Sequence, residues 1–168
     1  MGRIPYRYLP SQLTLPTATP NAGSNEQAAR TSLILRPMDF KLELIPVPVA
    51  DLDRALRFYV DQVGFHLDHD VRPSATVRVA QLTPPGSACS IVLATGLAGL
   101  VMPAGSLRGL HLVVDDIARA RAELAGRGVG VADVVTMGGL HYAGFQDPDG
   151  NTWTLQQLPP RPMPPPAV

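Results

Sequence analysis

A single cysteine in 168 residues rules out a disulfide within the chain and any all-cysteine metal site. Cys89 lies in an apolar strand pattern, the setting of a small core side chain rather than a nucleophile. Charge is scarce as well: Asp, Glu, Lys and Arg make up 17% of the chain, and fourteen residues of each sign cancel. A balanced chain without a basic stripe has no electrostatic reason to bind nucleic acid or an anionic membrane. No apolar run approaches the roughly 20 residues of a membrane-crossing helix, and the N-terminus lacks the apolar core of a secretory signal. These absences predict a cytoplasmic protein with neither nucleic-acid nor membrane partners. Gly-rich phosphate loops, Ser or Cys nucleophile motifs and paired catalytic acids are missing too.

What the chain has is a repeat. Val49, Asp51, Leu52, Arg54, Ala55 and Tyr59 recur as Val114, Asp116, Ile117, Arg119, Ala120 and Leu124, at a constant offset of 65 residues. Each copy is an apolar strand running into a helix. The first strand is predicted over 41–49, with Pro46 and Pro48 arguing for an edge or irregular position. Asp51 is placed to cap the following helix, whose stripe is Leu52, Ala55, Leu56, Tyr59 and Val63 and whose stop is Gly64. In the second copy the strand over 109–114 leads to a helix capped by Asp116 or Asp115 and stopped by Gly126 and Gly128.

Three strands follow each helix. After the first they are predicted over 65–71, 76–82 and 88–94, the last two joined by the turn Pro84-Pro85-Gly86-Ser87. After the second they are predicted over 129–135, 141–146 and 152–157, the last two joined by Asp147-Pro148-Asp149-Gly150. The organisation is therefore a flexible N-terminal extension (1–37), a folded domain (38–158) made of modules 38–94 and 109–158, and a Pro-rich tail (159–168). The connector, 95–108, carries Leu97, Leu100, Val101 and Met102, enough apolar surface to fold over a pocket mouth or a subunit neighbour. Alternation along 65–71 separates His66, Asp68 and Asp70 from His69, which reads as a solvated strand face.

Two βαβββ modules, a Val-x-Asp-hydrophobic helix start in each and the closing Asp-Pro-Asp-Gly-Asn turn resemble the vicinal oxygen chelate superfamily, the glyoxalase, bleomycin-resistance and extradiol-dioxygenase group. The runs Gln81–Ser87 and Val113–Ile117 are similar to small bacterial glyoxalase-like proteins. The resemblance implies an α+β fold in which two βαβββ modules form an incomplete, cup-shaped barrel that binds substrate on its floor. It also implies a divalent metal, held in catalytic members at positions that correspond here to Leu44, Val92, Gly109 and Thr154. Leu, Val and Gly side chains offer no lone pairs and Thr is a poor ligand, so no metal and no other cofactor is expected.

Alternation adds Ser90 to Val92, His111 to Gly109, and Gln156 to Thr154 on the same faces. Ser90, Val92, Gly109, Thr154, Gln156 and Leu44 are thus candidate ligand-binding residues. His111 and Tyr142 are candidate catalytic ones, the imidazole as acid or base near neutral pH and the phenol as donor. Of His141 and Tyr142 only one can face inward. Gln81, Arg78 and Arg108 are candidate polar contacts at the rim. The expected function is binding of a small organic molecule in the cup by a homodimer. The alternatives are a metal-independent lyase or isomerase using His111, and a metal-dependent enzyme with an atypical ligand set.

Overall fold

The computed structural model describes residues 38–159. The expected N-terminal extension, 1–37, and the tail beyond Pro159 lie outside the described residues. The first module is β1 (Leu44–Pro46), α1 (Leu52–Leu56, continuing as a π-helix over Arg57–Val63), β2 (His66–Val71), β3 (Arg78–Thr83) and β4 (Ser90–Thr95). The second is β5 (Leu110–Val113), α2 (Ile117–Gly126), β6 (Val135–Met137), β7 (Leu140–Gln146) and β8 (Thr152–Gln157). Each module builds one four-stranded sheet, in the orders β1-β4-β3-β2 and β5-β8-β7-β6. In both, the first strand runs parallel to the last and the other pairings are antiparallel. The sheets are not closed into a barrel, and the α+β fold of two βαβββ modules is as expected.

The repeat is structural. Asp51 and Asp116 both hold extended backbone torsions, and each accepts the N–H three residues on, from Arg54 and Arg119, at 3.0 Å. Asp116, not Asp115, is therefore the second cap. Both helices end on a left-handed glycine, Gly64 at φ 90° and Gly128 at φ 87°, while Gly126 is still helical. Between cap and glycine, however, the first copy has thirteen steps and the second twelve. A regular α-helix cannot absorb one extra residue and still bring both ends to the sheet. The first copy absorbs it by widening into a π-helix, which alters the expected stripe. Phe58 joins Leu52, Ala55 and Tyr59 as buried, while Leu56 and Val63 are only half-buried.

Two predicted strands are shorter than expected. β1 keeps only three residues, because Pro46 and Pro48 have no N–H to donate and the strand is paired on one side only, at the sheet edge. The strand predicted over 129–135 begins only at Val135. Val129 and Val131 do point at the core, but only the Ala132 N–H reaches β7, at the Gly144 carbonyl, 2.8 Å away. Alternation had registered the burial of this segment, not its pairing.

The helix-facing rows of both sheets share one core. It takes Ala80, Leu82, Ile91 and Leu93 from the first sheet and Ala143, Phe145, Trp153 and Leu155 from the second. Trp153 stands at the seam, its ring 5.8 Å from Tyr59, 5.7 Å from Phe65 and 6.1 Å from Phe145. Around it lies a buried polar knot. The Trp153 indole donates to the Tyr59 hydroxyl (3.1 Å), which donates to Asp147 (2.8 Å). Asn151, fully buried, donates to Asp147 (2.7 Å) and to the Pro48 carbonyl (2.8 Å), and accepts from the Leu107 N–H (3.1 Å). Arg54 on α1 adds an ion pair to Asp149 at 2.6 Å. The closing turn is thus a bolt between the modules as well as a hairpin connection. Burial and the neighbouring Asp147 carboxylate push the Tyr59 hydroxyl well above the usual phenol range, so it remains a proton donor.

Candidate functional site

Register decides which side chains share the face away from the helices. In the second sheet His111 pairs with Thr154 and Val113 with Gln156, while Gln156 pairs with Tyr142 and Thr154 with Gly144. Paired residues point the same way, so His111, Tyr142, Thr154 and Gln156 occupy one face. The neighbours Trp153 and Leu155 are buried on the other. Tyr142 takes the inward position and His141 the outward one, where its Nδ1 lies 2.9 Å from the Thr136 hydroxyl. Gly109 sits just before β5 at φ 73°, and its N–H donates to the Thr152 hydroxyl at 2.8 Å.

On this face the His111 Nδ1 lies 2.8 Å from the Gln156 Oε1, and the His111 and Tyr142 rings meet edge-on at 79° with centroids 6.4 Å apart. The same face runs into a cavity of about 690 Å³ whose lining includes Thr152, Thr154, Gln146, Gly144, Gly130 and Ala132 but neither His111 nor Tyr142. Three of those six have no side chain or a single methyl, which is why the surface is hollow there. Gly144 escaped the sequence reading, although a glycine inside a strand signals close approach of another group. It is not one of the positive-φ glycines, and a Cβ there would meet only the Trp153 carbonyl, at 3.8 Å.

In the first sheet the equivalent row holds Leu44, Ser90 and Val92. Ser90 and Val92 are almost fully buried and Leu44 is half-buried. Val92 pairs with Gln81 and Ser90 with Leu44. A directed chain of hydrogen bonds crosses this face. Gln81 donates to Ser90 (3.2 Å), Ser90 and Thr83 lie 2.6 Å apart, and Thr83 donates to Asp68 (2.5 Å). Because the one Thr83 proton goes to Asp68, Ser90 must be the donor to Thr83. His66 completes the row, its Nδ1 3.1 Å from Asp68.

β2 corrects the expected alternation. A bulge between Leu67 and His69 lets His66 pair with Thr83 and His69 with Gln81, so His66, Asp68 and His69 share the face of the hydrogen-bonded chain. Asp70 turns to the helix side, where Arg78 clamps it at 2.7 Å and reaches Asp53 of α1 at 2.7 Å. Arg78 is therefore a tie between helix and sheet. Arg108 likewise binds the carbonyls of Gly105, Leu107 and Gly150, joining the connector to the closing turn. Cys89, next to Ser90, is half-buried; burial and then Glu43 push its thiol up, which disfavours the thiolate a nucleophile needs.

The candidate residues thus form two groups, His111, Tyr142, Thr154 and Gln156 on the second sheet and Leu44, Ser90 and Val92 on the first. The metal that the resemblance implies requires imidazole or carboxylate donors. The corresponding positions hold Leu44, Val92, Gly109 and Thr154, and among the described residues no three His, Cys, Asp or Glu side chains are grouped to hold an ion. No helix among the described residues is long and apolar enough to cross a membrane.

Residues 41–155 match the family model of the Glyoxalase/Bleomycin resistance protein/Dioxygenase superfamily. Among solved structures, TnmS3, an antibiotic binding protein from Streptomyces sp. CB03234, is 40% identical, with 71% of this chain and 96% of that one covered and a TM-score of 0.63. A glyoxalase/bleomycin resistance protein from the same strain is 41% identical over 70% of this chain and all of its own, with a TM-score of 0.60. A superfamily member from Sphaerobacter thermophilus DSM 20745 is 29% identical over 71% and 98% of the two chains, with a TM-score of 0.62. No curated protein matches.

Proposed function

Because the chain belongs to the glyoxalase, bleomycin-resistance and dioxygenase superfamily, we propose that it binds a small organic molecule against the open sheet face that carries His111. The observation that carries this reading is the hollow of about 690 Å³ lined by Thr152, Thr154 and Gly144, on the sheet face that also carries Tyr142 and the exposed His111. Such a surface combines apolar area with a few neutral polar groups, the composition of small-molecule sites. TnmS3, described as an antibiotic binding protein, supports the same reading and directs it to antibiotic-like molecules. On this reading binding uses neutral hydrogen-bonding groups and no metal, the half-buried Leu44 contributes the first sheet's contact while Ser90 and Val92 are buried, and Gly109 holds the approach to β5.

The chain acts as a homodimer on this reading. The exposure of Val101, Met102, Val113, Val135 and Met137 supports it, because apolar surface of this extent favours cover. Sedimentation velocity at micromolar concentration is expected to show a dimer; a monomer throughout would remove this part.

The test of binding is a thermal-shift and calorimetric panel of aromatic antibiotics and metabolites, run on wild type and on Gly144→Val. A ligand at a hundred times its Kd should stabilise the wild type by about 2.7 kcal/mol. Valine should fill the hollow and abolish that shift with the fold intact. Hits that bind Gly144→Val as well as wild type would place the site elsewhere.

A further inference from the structure

We infer that Gln156 sets His111 in one tautomer and thereby selects ligands that carry a hydroxyl donor on a neutral planar ring; this rests on the binding reading above. The His111 Nδ1 is 2.8 Å from the Gln156 Oε1. An amide oxygen only accepts, so the proton of the neutral imidazole resides on Nδ1 and Nε2 is left with a lone pair. His111 is exposed, and no hydrogen bond among the described residues engages its Nε2 or the Tyr142 hydroxyl. The site therefore offers an unspent acceptor beside a phenol that can donate or accept.

The rest of the face narrows the ligand. His111, Val113, Tyr142, Thr154 and Gln156 include no Lys, Arg, Asp or Glu, so this face provides no full charge for a phosphate, a carboxylate or an amine. Two rings at 79° form a corner, and beside it the backbone of Gly144 is bare. A flat ring can lie over such a floor with its edge hydroxyl on Nε2. A ligand presenting only a carbonyl or ether oxygen to Nε2 would set lone pair against lone pair. A ligand that covers the solvated Nε2 without pairing it forfeits that hydrogen bond to water and is disfavoured.

The probes are 1-naphthol and its methyl ether, which share the ring and differ in the donor. Long-range ¹H–¹⁵N spectra of the free protein above the imidazole titration should show a pyrrole-type Nδ1 and a pyridine-type Nε2 for His111. Calorimetry should give naphthol a roughly three- to tenfold tighter Kd than the ether, the range of one hydrogen bond. Gln156→Leu, which frees the ring to protonate Nε2, should erase that ratio. An Nε2-protonated His111 in the wild type overturns the inference whatever the variant does. Equal affinity of the two probes, with cup resonances shifting for both, overturns the tautomer rule but leaves the binding reading standing. Failure of both probes to shift any cup resonance at millimolar concentration overturns both.

Discussion

Replacing Asn151 by Ala should uncouple the closing turn from the first module. The side chain is fully buried and serves three groups: the Pro48 carbonyl, the Leu107 N–H and the Asp147 carboxylate. A buried polar group stripped of its partner costs about 1–3 kcal/mol. The buried Pro48 carbonyl loses the side-chain donor but keeps the Gly105 N–H at 3.1 Å, and the Leu107 contact is only half-buried, so water can partly restore it. Asp147 suffers least, since it keeps the Tyr59 hydroxyl and the N–H groups of Asp149 and Asn151. The sum is about 1–4 kcal/mol, a sizeable part of the roughly 5–15 kcal/mol by which domains are stable.

The assay is guanidinium unfolding followed by the fluorescence of Trp153, the one tryptophan, which lies in the same knot. The midpoint should fall with an unchanged slope. Asn151→Asp is the sharper comparison. It keeps an acceptor for Leu107 but loses the donor to Pro48 and sets a second carboxylate against Asp147. At pH 7 it should be at least as destabilising as Ala. A loss below about 1 kcal/mol for Ala, or a well-tolerated Asp, would refute the idea that this side chain bolts the modules together.

Other outcomes follow from single contacts. Gly105→Ala should prevent stable folding or cost several kcal/mol by thermal melting, because its φ is 71° and the new Cβ would lie 1.9 Å from the Asp149 carbonyl oxygen. Tyr59→Phe should cost about 1.5–3 kcal/mol in the same denaturant assay, the range for a hydrogen bond to a charged acceptor. Arg78 holds the Asp70 carboxyl below its ordinary value, so this pair stabilises fully above pH 3.8 and loses its contribution as pH falls through the lowered folded value. Asp70→Asn should therefore lower stability at neutral pH and flatten its decline in acid, read from melting temperatures between pH 2 and 7; parallel curves would refute it.

The resemblance and the repeat together made most of the architecture legible before any coordinates. Both helix caps, the left-handed glycines that end the helices and the buried rows of β7 and β8 follow from local chemistry. Asp51 and Asp116 cap because a carboxylate three residues upstream reaches a free N–H wherever the chain turns helical. Alternation alone pairs Thr154 with Gln156 on one face of β8, and the register of β5, β7 and β8 then adds His111 and Tyr142. That Leu44, Val92, Gly109 and Thr154 carry no imidazole or carboxylate can likewise be read directly, since side-chain chemistry does not depend on the fold.

Tertiary structure decided what depends on groups distant in the chain. The bulge in β2 brings His69 to the face of Gln81 and turns Asp70 toward Arg78, a choice made by the competing pulls of two neighbouring elements. The π-helix answers a one-residue surplus that matters only because both helix ends must meet the same sheet geometry. The Asp147–Asn151 turn reads locally as a hairpin; only packing shows that Asn151 reaches Pro48, 103 residues away. Nor could any local pattern join His111 to Gln156, 45 residues apart, in a contact of 2.8 Å. Local torsion and period are written residue by residue, whereas hydrogen bonds across the fold exist only once the sheets and the core have brought their ends together.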